Sequence, residues 1–399
     1  MNCKKMLKHL ALVLAAAMIL PAFATADIKM GVILGFTGPI ESLTPDMGGS
    51  AEVAFKEASD SGLLLGGQKI VSVRADSTCI DNAAATAAAE RLVTAEKVAG
   101  IMGADCSGVT TAVANNVAVP NGVPMISPSA TSPALTTIAD NGYFFRTAPS
   151  DARQGQVLAS ITVERGITSV AVTYVNSDYG KGLSDSFGKA FQALGGTVTI
   201  SVPHETGKAD YSAEVASMDS AGGDAMAVFG YVNQGGPGIM QASLDSGSFD
   251  KFILADGMYG DDLLTNVEGD LTGTFGTVPG TDSKGAATYA DMANAAGLKG
   301  SGPFTGESYD AAALLILAMQ SAGSTDGAAI ASNVMGVANA PGEKIMPGEL
   351  AKGLRILANG GAVDYVGATN VELTGVGEAS GSYREFEIRN KAFQTVRFR

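Results

Sequence analysis

Short apolar runs alternate with longer amphipathic segments along most of the chain. Residues 28–34 form the first apolar run, and residues 47–59 place Ala51, Ala54 and Phe55 on one face at helical spacing. We expect further strands at 70–74, 98–102 and 123–126, and further helices at 82–96 and 109–119. Because the runs are apolar on both faces, the alternation predicts an α/β fold with a mainly parallel sheet between helices.

The alternation breaks near residues 143–149 and then resumes, which predicts a second α/β lobe. In this set we expect strands at 169–174, 197–202, 225–229 and 252–255, and helices at 154–164, 183–194, 212–220, 239–245 and 261–267. A crossing strand at 272–280, four helices at 286–296, 309–322, 327–337 and 349–357, and a loop-rich segment at 361–381 follow. A closing hairpin pairs 384–388 with 393–398 around Asn390-Lys391.

The first 26 residues have the pattern of a secretory signal peptide. A basic segment with three lysines precedes an apolar stretch at 10–20, and small residues suited to cleavage follow that stretch. We expect cleavage after Ala26, with Ala24 as the other compatible position and a retained amphipathic anchor as the alternative. Beyond this segment no run approaches the roughly 18 apolar residues of a membrane span. Residues 311–319 are interpreted as a buried helix, so the mature protein is expected to be exported and soluble.

The chain is acidic, with 40 Asp and Glu against 26 Lys and Arg and a net charge of −14. Loss of three lysines with the signal peptide makes the mature chain more acidic still. This charge argues against DNA, RNA or an anionic membrane as partner. The turn at residues 35–38 lacks the spacing of a dinucleotide fingerprint, so no nucleotide cofactor is predicted.

Two cysteines and one histidine remain after the signal peptide. In an oxidising compartment Cys79 and Cys106 predict a disulfide, with two free buried thiols as the alternative. A bridge across that loop would contribute roughly 3 kcal/mol. His204 lies in a polar connection and is expected to be solvated. Because nothing pairs a nucleophile with a base, and no Cys/His spacing suits zinc, we predict no enzyme, metal site or cofactor.

Small hydroxyl residues follow two of the predicted strands at the same edge of the first sheet. Residues 106–110 come after the third strand, and residues 127–131 come after the fourth. Ligands of α/β sheets bind at the carboxyl ends of strands, and free backbone N–H groups there favour anions. The two segments therefore predict a cradle for a small anion, although helix capping would use the same geometry.

Together with several other segments, these residues resemble the type I periplasmic solute-binding proteins of the branched-chain amino acid ABC transporter family, the leucine/isoleucine/valine-binding proteins. The segments that carry the resemblance are 28–32, 36–40, Cys79, 106–107, 127–131, 146–147, 178–182, 211–212 and 308–310. It implies two lobes joined by three crossovers, near Ala148, Gly276 and Arg384. The first lobe would then hold 27–147 and 276–383, the second 148–275 and 384–399. It also implies that Cys79 is bonded to Cys106.

The resemblance implies a ligand shell as well. Ser107 would bind the ligand carboxylate, Thr131 the carboxylate and the ammonium group, and the carbonyl of Ser129 the ammonium group. Asp256 would pair with the ammonium group from the second lobe. The whole implied shell is Ser107, Ser129, Ala130, Thr131, Tyr179, Tyr231 and Asp256, with the two tyrosines as aromatic walls. The loop 41–46 departs from the family pattern, and within it Leu43 is our candidate for a wall of the side-chain pocket.

The sequence thus predicts a periplasmic binding protein that captures an amino acid, branched-chain or related aliphatic, by hinge closure. It would deliver this ligand as a monomer to an inner-membrane ABC permease. Two alternatives stay open at this point. The same fold could bind another small carboxylate or amide, or it could present its ligand to a membrane receptor as a sensor.

Overall fold

The structure, a computed structural model, describes residues 27–399, so the predicted signal peptide lies outside the described residues. The first sheet has five parallel strands in the order β2-β1-β3-β4-β5. They are β1 Ile28–Leu34, β2 Ile70–Asp76, β3 Ile101–Gly103, β4 Met125–Ser127 and β5 Phe144–Arg146. Three helices connect them, α1 Thr44–Asp60, α2 Asn82–Glu90 and α3 Ser107–Val113. The segment 143–149, predicted only as a break in the alternation, contains strand β5.

The second sheet begins after β5 and is again parallel through its first five strands. These are β6 Ser169–Val175, β7 Thr197–His204, β8 Ala225–Phe229, β9 Phe252–Leu254 and β10 Phe275–Pro279. The helices of this part are α4 Asp151–Glu164, α5 Asp178–Ala193, α6 Ser212–Ala221, α7 Gly236–Ser246 and α8 Asp261–Asn266. The strands β8 and β9 are buried at every residue, as two-sided parallel strands should be.

After β10 the chain returns to the first sheet. It forms α9 Lys284–Ala295, α10 Thr305–Ala322, α11 Gly327–Ala338 and α12 Leu350–Ala358. The helix α10 packs against α1, β3 and β4, and its residues 307–320 are all buried. This burial on every side accounts for the unbroken apolar run at 311–319. Within the segment predicted as loop-rich, β12 Val363–Tyr365 pairs in parallel with β11 Glu343–Ile345, a small sheet that the sequence did not indicate.

The closing hairpin pairs with the second sheet. Strand β13 Tyr383–Arg389 pairs antiparallel with β10 and with β14 Ala392–Phe398, giving the order β14-β13-β10-β9-β8-β6-β7. Asn390 and Lys391 form the turn, both with positive φ. We call the first sheet with its helices, α9–α12 included, the first lobe, and the second sheet with its helices the second lobe. The chain therefore passes between lobes three times.

Two predictions from the sequence, a lobe boundary and the exposure of His204, differ from the structure. The predicted boundary at 275/276 falls inside β10, all of which pairs within the second sheet, and the remaining lobe boundaries stay predictions. The expectation of a solvated His204 is wrong, because its side chain is only 2% exposed. It ends β7, where its Nδ1 lies 2.9 Å from the hydroxyl of Thr173. Burial lowers the pKa of His204 to about 4, so the imidazole is neutral near pH 7.

A disulfide joins Cys79 to Cys106 and ties the loop after β2 to the start of α3. The two cysteines are 27 positions apart, and closing a loop of that length corresponds to roughly 3 kcal/mol of stabilisation in the chain-entropy model. Both cysteines are buried, and Cys106 immediately precedes Ser107. The bridge therefore fixes the backbone just where the predicted anion cradle begins.

Candidate ligand-binding site

A cavity with about 360 Å³ of empty volume lies between the two lobes, at the carboxyl ends of the strands of both sheets. The first lobe contributes Ile40, Leu43, Met47, Asp105, Cys106, Ser107, Ser129 and Phe304, and the second contributes Tyr179, Tyr231, Asp256 and Gly257. This figure includes space open to solvent, and the part that the centre of a water molecule can occupy is about 30 Å³. The cavity therefore suits only a small ligand.

Six of the eight predicted ligand residues line this cavity together. They are Leu43, Ser107, Ser129, Tyr179, Tyr231 and Asp256. The other two, Ala130 and Thr131, are fully buried in the same loop as Ser129 but do not line the cavity. Among these six, residues that meet from opposite lobes are at least 50 positions apart in the sequence (Ser129 and Tyr179), so only the fold brings them together.

Ser107 is the first residue of α3, and its hydroxyl is not used to cap that helix. Cys106 occupies the N-cap position without any side-chain capping bond. The Oγ of Ser107 instead accepts a hydrogen bond from the backbone N–H of Ser132 at 3.1 Å. Its hydroxyl proton therefore remains available to an acceptor in the cavity, such as a carboxylate oxygen.

Arg146, at the end of β5, holds the ligand loop from behind. Its guanidinium donates to the carbonyls of Ala130 and Ser132, both at 2.9 Å. Its remaining N–H groups reach Glu378 and the hydroxyl of Thr136, so that all five donors are used. Because Arg146 is buried and fully engaged, it fixes the loop without touching the cavity itself.

The loop that Arg146 holds is also fixed by Ser127, whose Oγ accepts from the N–H of Ala130 at 3.0 Å. Ala130 thus has both backbone polar groups occupied and serves to shape the loop. The hydroxyl of Ser129 donates to the carbonyl of Asp105 at 3.1 Å. Within residues 27–399, the carbonyl of Ser129, the N–H of Thr131 and the hydroxyl of Thr131 have no hydrogen-bond partner. The loop can therefore offer a ligand one acceptor (the Ser129 carbonyl), one donor (the Thr131 N–H) and one hydroxyl that can donate or accept.

Asp105 is a cavity residue that the sequence analysis missed. Its carboxylate accepts from the N–H of Gly35 at 2.5 Å and from the hydroxyl of Ser77 at 2.8 Å. Burial raises the pKa of Asp105, while these hydrogen bonds oppose the shift. The side chain joins the loops after β1, β2 and β3, so we assign it to holding the site together. Its place directly after an apolar strand was the available signal.

The second lobe contributes two stacked tyrosines and one acid. The rings of Tyr179 and Tyr231 lie 5.4 Å apart at an interplanar angle of 19°. The hydroxyl of Tyr179 donates to Oδ1 of Asp256 at 3.2 Å and accepts from the N–H of Gly257 at 3.2 Å. Burial raises the pKa of Asp256 to about 6, and the hydrogen bond from Tyr179 opposes the shift. A carboxylate here is stabilised most by a cation in the cavity.

Four apolar side chains of the first lobe form the rest of the cavity, and we call them the apolar wall. They are Ile40, Leu43, Met47 and Phe304. Leu43 was predicted, and it immediately precedes α1, of which Met47 is part. Phe304 precedes α10 with a positive φ of 59°. No pattern in the sequence distinguished Met47 or Phe304 from core residues, because their part in the cavity depends on how α1 and α10 pack.

The lobes are linked beside the cavity by Asn233, another residue that the sequence analysis missed. Its Oδ1 accepts from the N–H and the hydroxyl of Ser42, at 3.1 and 2.9 Å. Its backbone N–H donates to the carbonyl of Pro39 at 3.0 Å, and its Nδ2 donates to Asp262 at 2.6 Å. The loop that carries Leu43 is therefore attached to the second lobe.

Two further observations bear on the class of protein. In the described part of the chain, no three His, Cys, Asp or Glu side chains are grouped so that they could hold a metal ion. Among residues 27–399, none of the helices combines the length and the apolar character that crossing a membrane would need. The groups that line the cavity are hydroxyls, carboxylates and apolar side chains.

Comparison with known proteins agrees with this architecture. A family model described as periplasmic binding protein matches residues 27–350. Leu/Ile/Val-binding protein homolog 1 of Brucella abortus is 30% identical over 318 residues, which are 78% of this chain and 83% of the relative.

Solved structures show the same fold. The branched-chain amino acid transporter substrate-binding protein LivJ of Streptococcus pneumoniae, in complex with isoleucine, superimposes with a TM-score of 0.76 at 22% identity over 94% of this chain and 99% of its own. An ABC transporter solute-binding protein of Rhodopseudomonas palustris, in complex with 4-hydroxybenzoate, has a TM-score of 0.74 at 19% identity over 94% and 97%. The predicted two-lobed α/β fold is confirmed.

Proposed function

Because the chain belongs to the periplasmic binding protein family, in its branched-chain amino acid type, we propose that it captures an apolar α-amino acid between its lobes. It then delivers this ligand to an inner-membrane ABC permease. Members of this family bind their ligands without transforming them, so the protein is not an enzyme. The signal-peptide pattern of residues 1–26 supports the proposal that the protein is exported.

The observation that carries this proposal is the division of the cavity into three kinds of surface. Ser107 offers a hydroxyl donor at the cavity, the loop beside it has an unpartnered N–H at Thr131, and Asp256 offers a carboxylate from the other lobe. The apolar wall forms the rest of the lining. An α-amino acid presents a carboxylate, an ammonium group and a side chain from one carbon atom. It is the simplest ligand that satisfies all three surfaces at once.

A second candidate is a small carboxylate without an amino group, as in the Rhodopseudomonas protein bound to 4-hydroxybenzoate. The cavity has an aromatic pair, Tyr179 and Tyr231, that could stack on such a ring. However, Asp256 would then face an anion in a buried site, where like charges repel strongly. This acid favours a ligand with a cationic nitrogen.

Titration of the purified mature protein decides between the two candidates. Isoleucine, leucine and valine are compared with 4-methylpentanoate, which is leucine without its amino group, and with 4-hydroxybenzoate. An amino acid at 100 times its dissociation constant should raise the free energy of unfolding by about 2.7 kcal/mol. We expect 4-methylpentanoate to bind at least about tenfold more weakly than leucine, since it loses a charge-assisted hydrogen bond. Tighter binding of either acid than of the amino acids would contradict the proposal.

A further inference from the structure

Gly182, near the start of α5, lies where the two lobes meet, and the proposed function gives it no role. A Cβ atom placed on Gly182 would lie 2.7 Å from Cδ of Pro133 and 3.2 Å from Oγ of Ser132. Both neighbours belong to the first lobe, whereas α5 belongs to the second. By contrast, a Cβ atom placed on the nearby Gly180 would meet Val175 of its own lobe. Because alanine favours a helix more than glycine does, helix formation does not account for Gly182.

The first-lobe surface that faces Gly182 is rigid. Cδ of Pro133 is bonded to the backbone nitrogen within the proline ring, so it cannot rotate away as the end of a flexible side chain could. The neighbouring Ser132 is tied to the cradle, because its N–H donates to Oγ of Ser107 at 3.1 Å and its carbonyl accepts from Arg146 at 2.9 Å. Carbon atoms that are not bonded to each other rest roughly 3.5–4.0 Å apart. A side chain at position 182 would therefore hold the lobes roughly 1 Å further apart than they are.

The contact at Gly182 is connected to the cavity through Tyr179. The two residues are three positions apart in α5, so they lie on one face of the helix. Tyr179 lines the cavity, and its hydroxyl donates to Asp256 and accepts from the N–H of Gly257, both at 3.2 Å. The helix α5 also packs against α3, which begins with Ser107 and brings it to the cavity from the first lobe. The depth at which α5 rests on the first lobe thus sets the distance between Tyr179 and Ser107.

We propose that Gly182 sets how far the two lobes close, and that its missing side chain keeps the cavity narrow enough to favour a short aliphatic amino acid. Gly182 is a positioning residue, because it does not line the cavity and acts on the ligand through Tyr179. A gap of roughly 1 Å already forfeits up to about half of the dispersion attraction between two atoms. A ligand too short to span a widened cavity therefore loses more affinity than a longer one. The choice of ligand rests on the proposed function, whereas the closure of the lobes does not.

Gly182→Ala tests the proposal in the mature protein, with Gly188→Ala as the matched control. Gly188 lies in the same helix, and a Cβ atom there would meet only Cγ2 of Val198, in its own lobe, at an ordinary 3.6 Å. We expect Gly182→Ala to weaken isoleucine binding in calorimetry by about tenfold or more, mainly through faster dissociation. Gly188→Ala should leave the affinity unchanged. Neither variant should lower the urea midpoint of the ligand-free protein, because alanine favours the helix and open lobes relieve the contact.

Two further measurements separate positioning from a merely structural effect. Among valine, isoleucine and leucine, the loss of affinity in Gly182→Ala should be largest for valine, which has the shortest side chain. Adding Pro133→Ala, which removes Cγ and Cδ from the contact, should restore most of the lost affinity, and Pro133→Ala alone completes the double-mutant cycle. Unchanged isoleucine affinity in Gly182→Ala, an equal loss in Gly188→Ala, or no recovery in the double variant would overturn the inference.

Closure of the lobes can also be measured without any ligand, which separates this inference from the proposed function. Oγ of Ser42 and Oδ1 of Asn233 lie 2.9 Å apart across the two lobes. Ser42→Cys with Asn233→Cys therefore places two thiols where only closed lobes bring them together. Cys79 and Cys106 are already bonded to each other, so they do not compete for the new cysteines.

The rate of disulfide formation between these two thiols then reports closure of the ligand-free protein. We expect Gly182→Ala to lower this rate by about tenfold, and Gly188→Ala to leave it unchanged. If the rate falls as expected but the wild type binds no amino acid, the proposed function is wrong while Gly182 still sets closure. If Gly182→Ala leaves the rate unchanged, Gly182 does not set closure, whatever the ligand.

Discussion

Ser107 and Thr131 each bring a buried hydroxyl to the cradle at the carboxyl ends of β3 and β4. The Ser107 hydroxyl accepts one backbone hydrogen bond, and the Thr131 hydroxyl has none within residues 27–399. Neither hydroxyl caps a helix, and the proton of each stays free to be donated. Their placement is explained better by a ligand carboxylate than by the stability of the protein alone.

We predict that Ser107→Ala combined with Thr131→Ala weakens amino acid binding by at least about 100-fold, because each change removes a hydrogen bond to a charged group, worth about 1.5–3 kcal/mol. The free energy of unfolding should fall by no more than about 2 kcal/mol, since only the bond from Ser132 to Ser107 is lost. Calorimetry measures the first effect and urea unfolding the second. Thr110→Val is the control, because it removes a buried hydroxyl from the same helix away from the cavity. Affinity near that of the wild type in the double variant would mean that the ligand binds elsewhere.

The sequence could indicate these hydroxyl residues because they follow directly on recognisable strands. It could not indicate Asp151, which reads as an ordinary acid in the first turn of a helix. Only the structure reveals that its side chain is completely buried. His204 was misread for a related reason: its polar neighbours in the sequence do not surround it in space. Burial of a single polar side chain depends on elements that pack from far along the chain.

Among the elements, long periodic helices and two-sided strands were predicted well, because each carries its own pattern. Three short strands, β5, β11 and β12, were not, although the equally short β3, β4 and β9 were. β5, β11 and β12 exist because a neighbouring strand edge pairs with them. The same limit applies to the loop 36–43, whose attachment to Asn233 in the second lobe is a matter of tertiary contact.

That attachment leads to a prediction about closure of the two lobes. Asn233→Ala removes two hydrogen bonds from Ser42 and one to Asp262, each worth about 0.5–1.5 kcal/mol. If these bonds form only on closure, amino acid affinity should fall by about tenfold or more, mainly through faster dissociation. Stopped-flow measurement of the dissociation rate tests this.

Asn339→Ala provides the matched control, because Asn339 makes the same kind of bonds, to the N–H and carbonyl of Leu373, inside the first lobe. It should lower the free energy of unfolding without changing the dissociation rate. Equal effects of the two substitutions on ligand dissociation would show that Asn233 does not act through closure.

For the molecule as a whole, the buried titratable groups set how stability depends on pH. Glu307, in the first turn of α10, makes no ion pair within residues 27–399, and burial raises its pKa to about 8. Asp310 accepts hydrogen bonds from Tyr365 and Thr369, yet burial still raises its pKa to about 6. For an acid, a folded pKa above the unfolded one means that the folded state binds more protons. Stability then rises as pH falls through the folded pKa.

His204 acts in the opposite direction at lower pH. Its folded pKa of about 4 lies below the ordinary 6.5, so the unfolded state binds the proton more readily and stability is lost as pH falls below 6.5. The gain from Glu307 keeps growing as pH falls to the unfolded pKa of about 4.3, and at pH 6 the loss from His204 has only begun.

We therefore expect the free energy of unfolding of the ligand-free protein to be higher at pH 6 than at pH 8, by roughly 2 kcal/mol from Glu307 alone. Urea unfolding at the two pH values measures the difference, which Glu307→Gln should largely remove and the exposed Glu372→Gln should leave in place. If Glu307→Gln keeps the full difference, the pH dependence has another origin, and Asp310 and Asp256, which add stability in the same direction near pH 6, are the groups to test next.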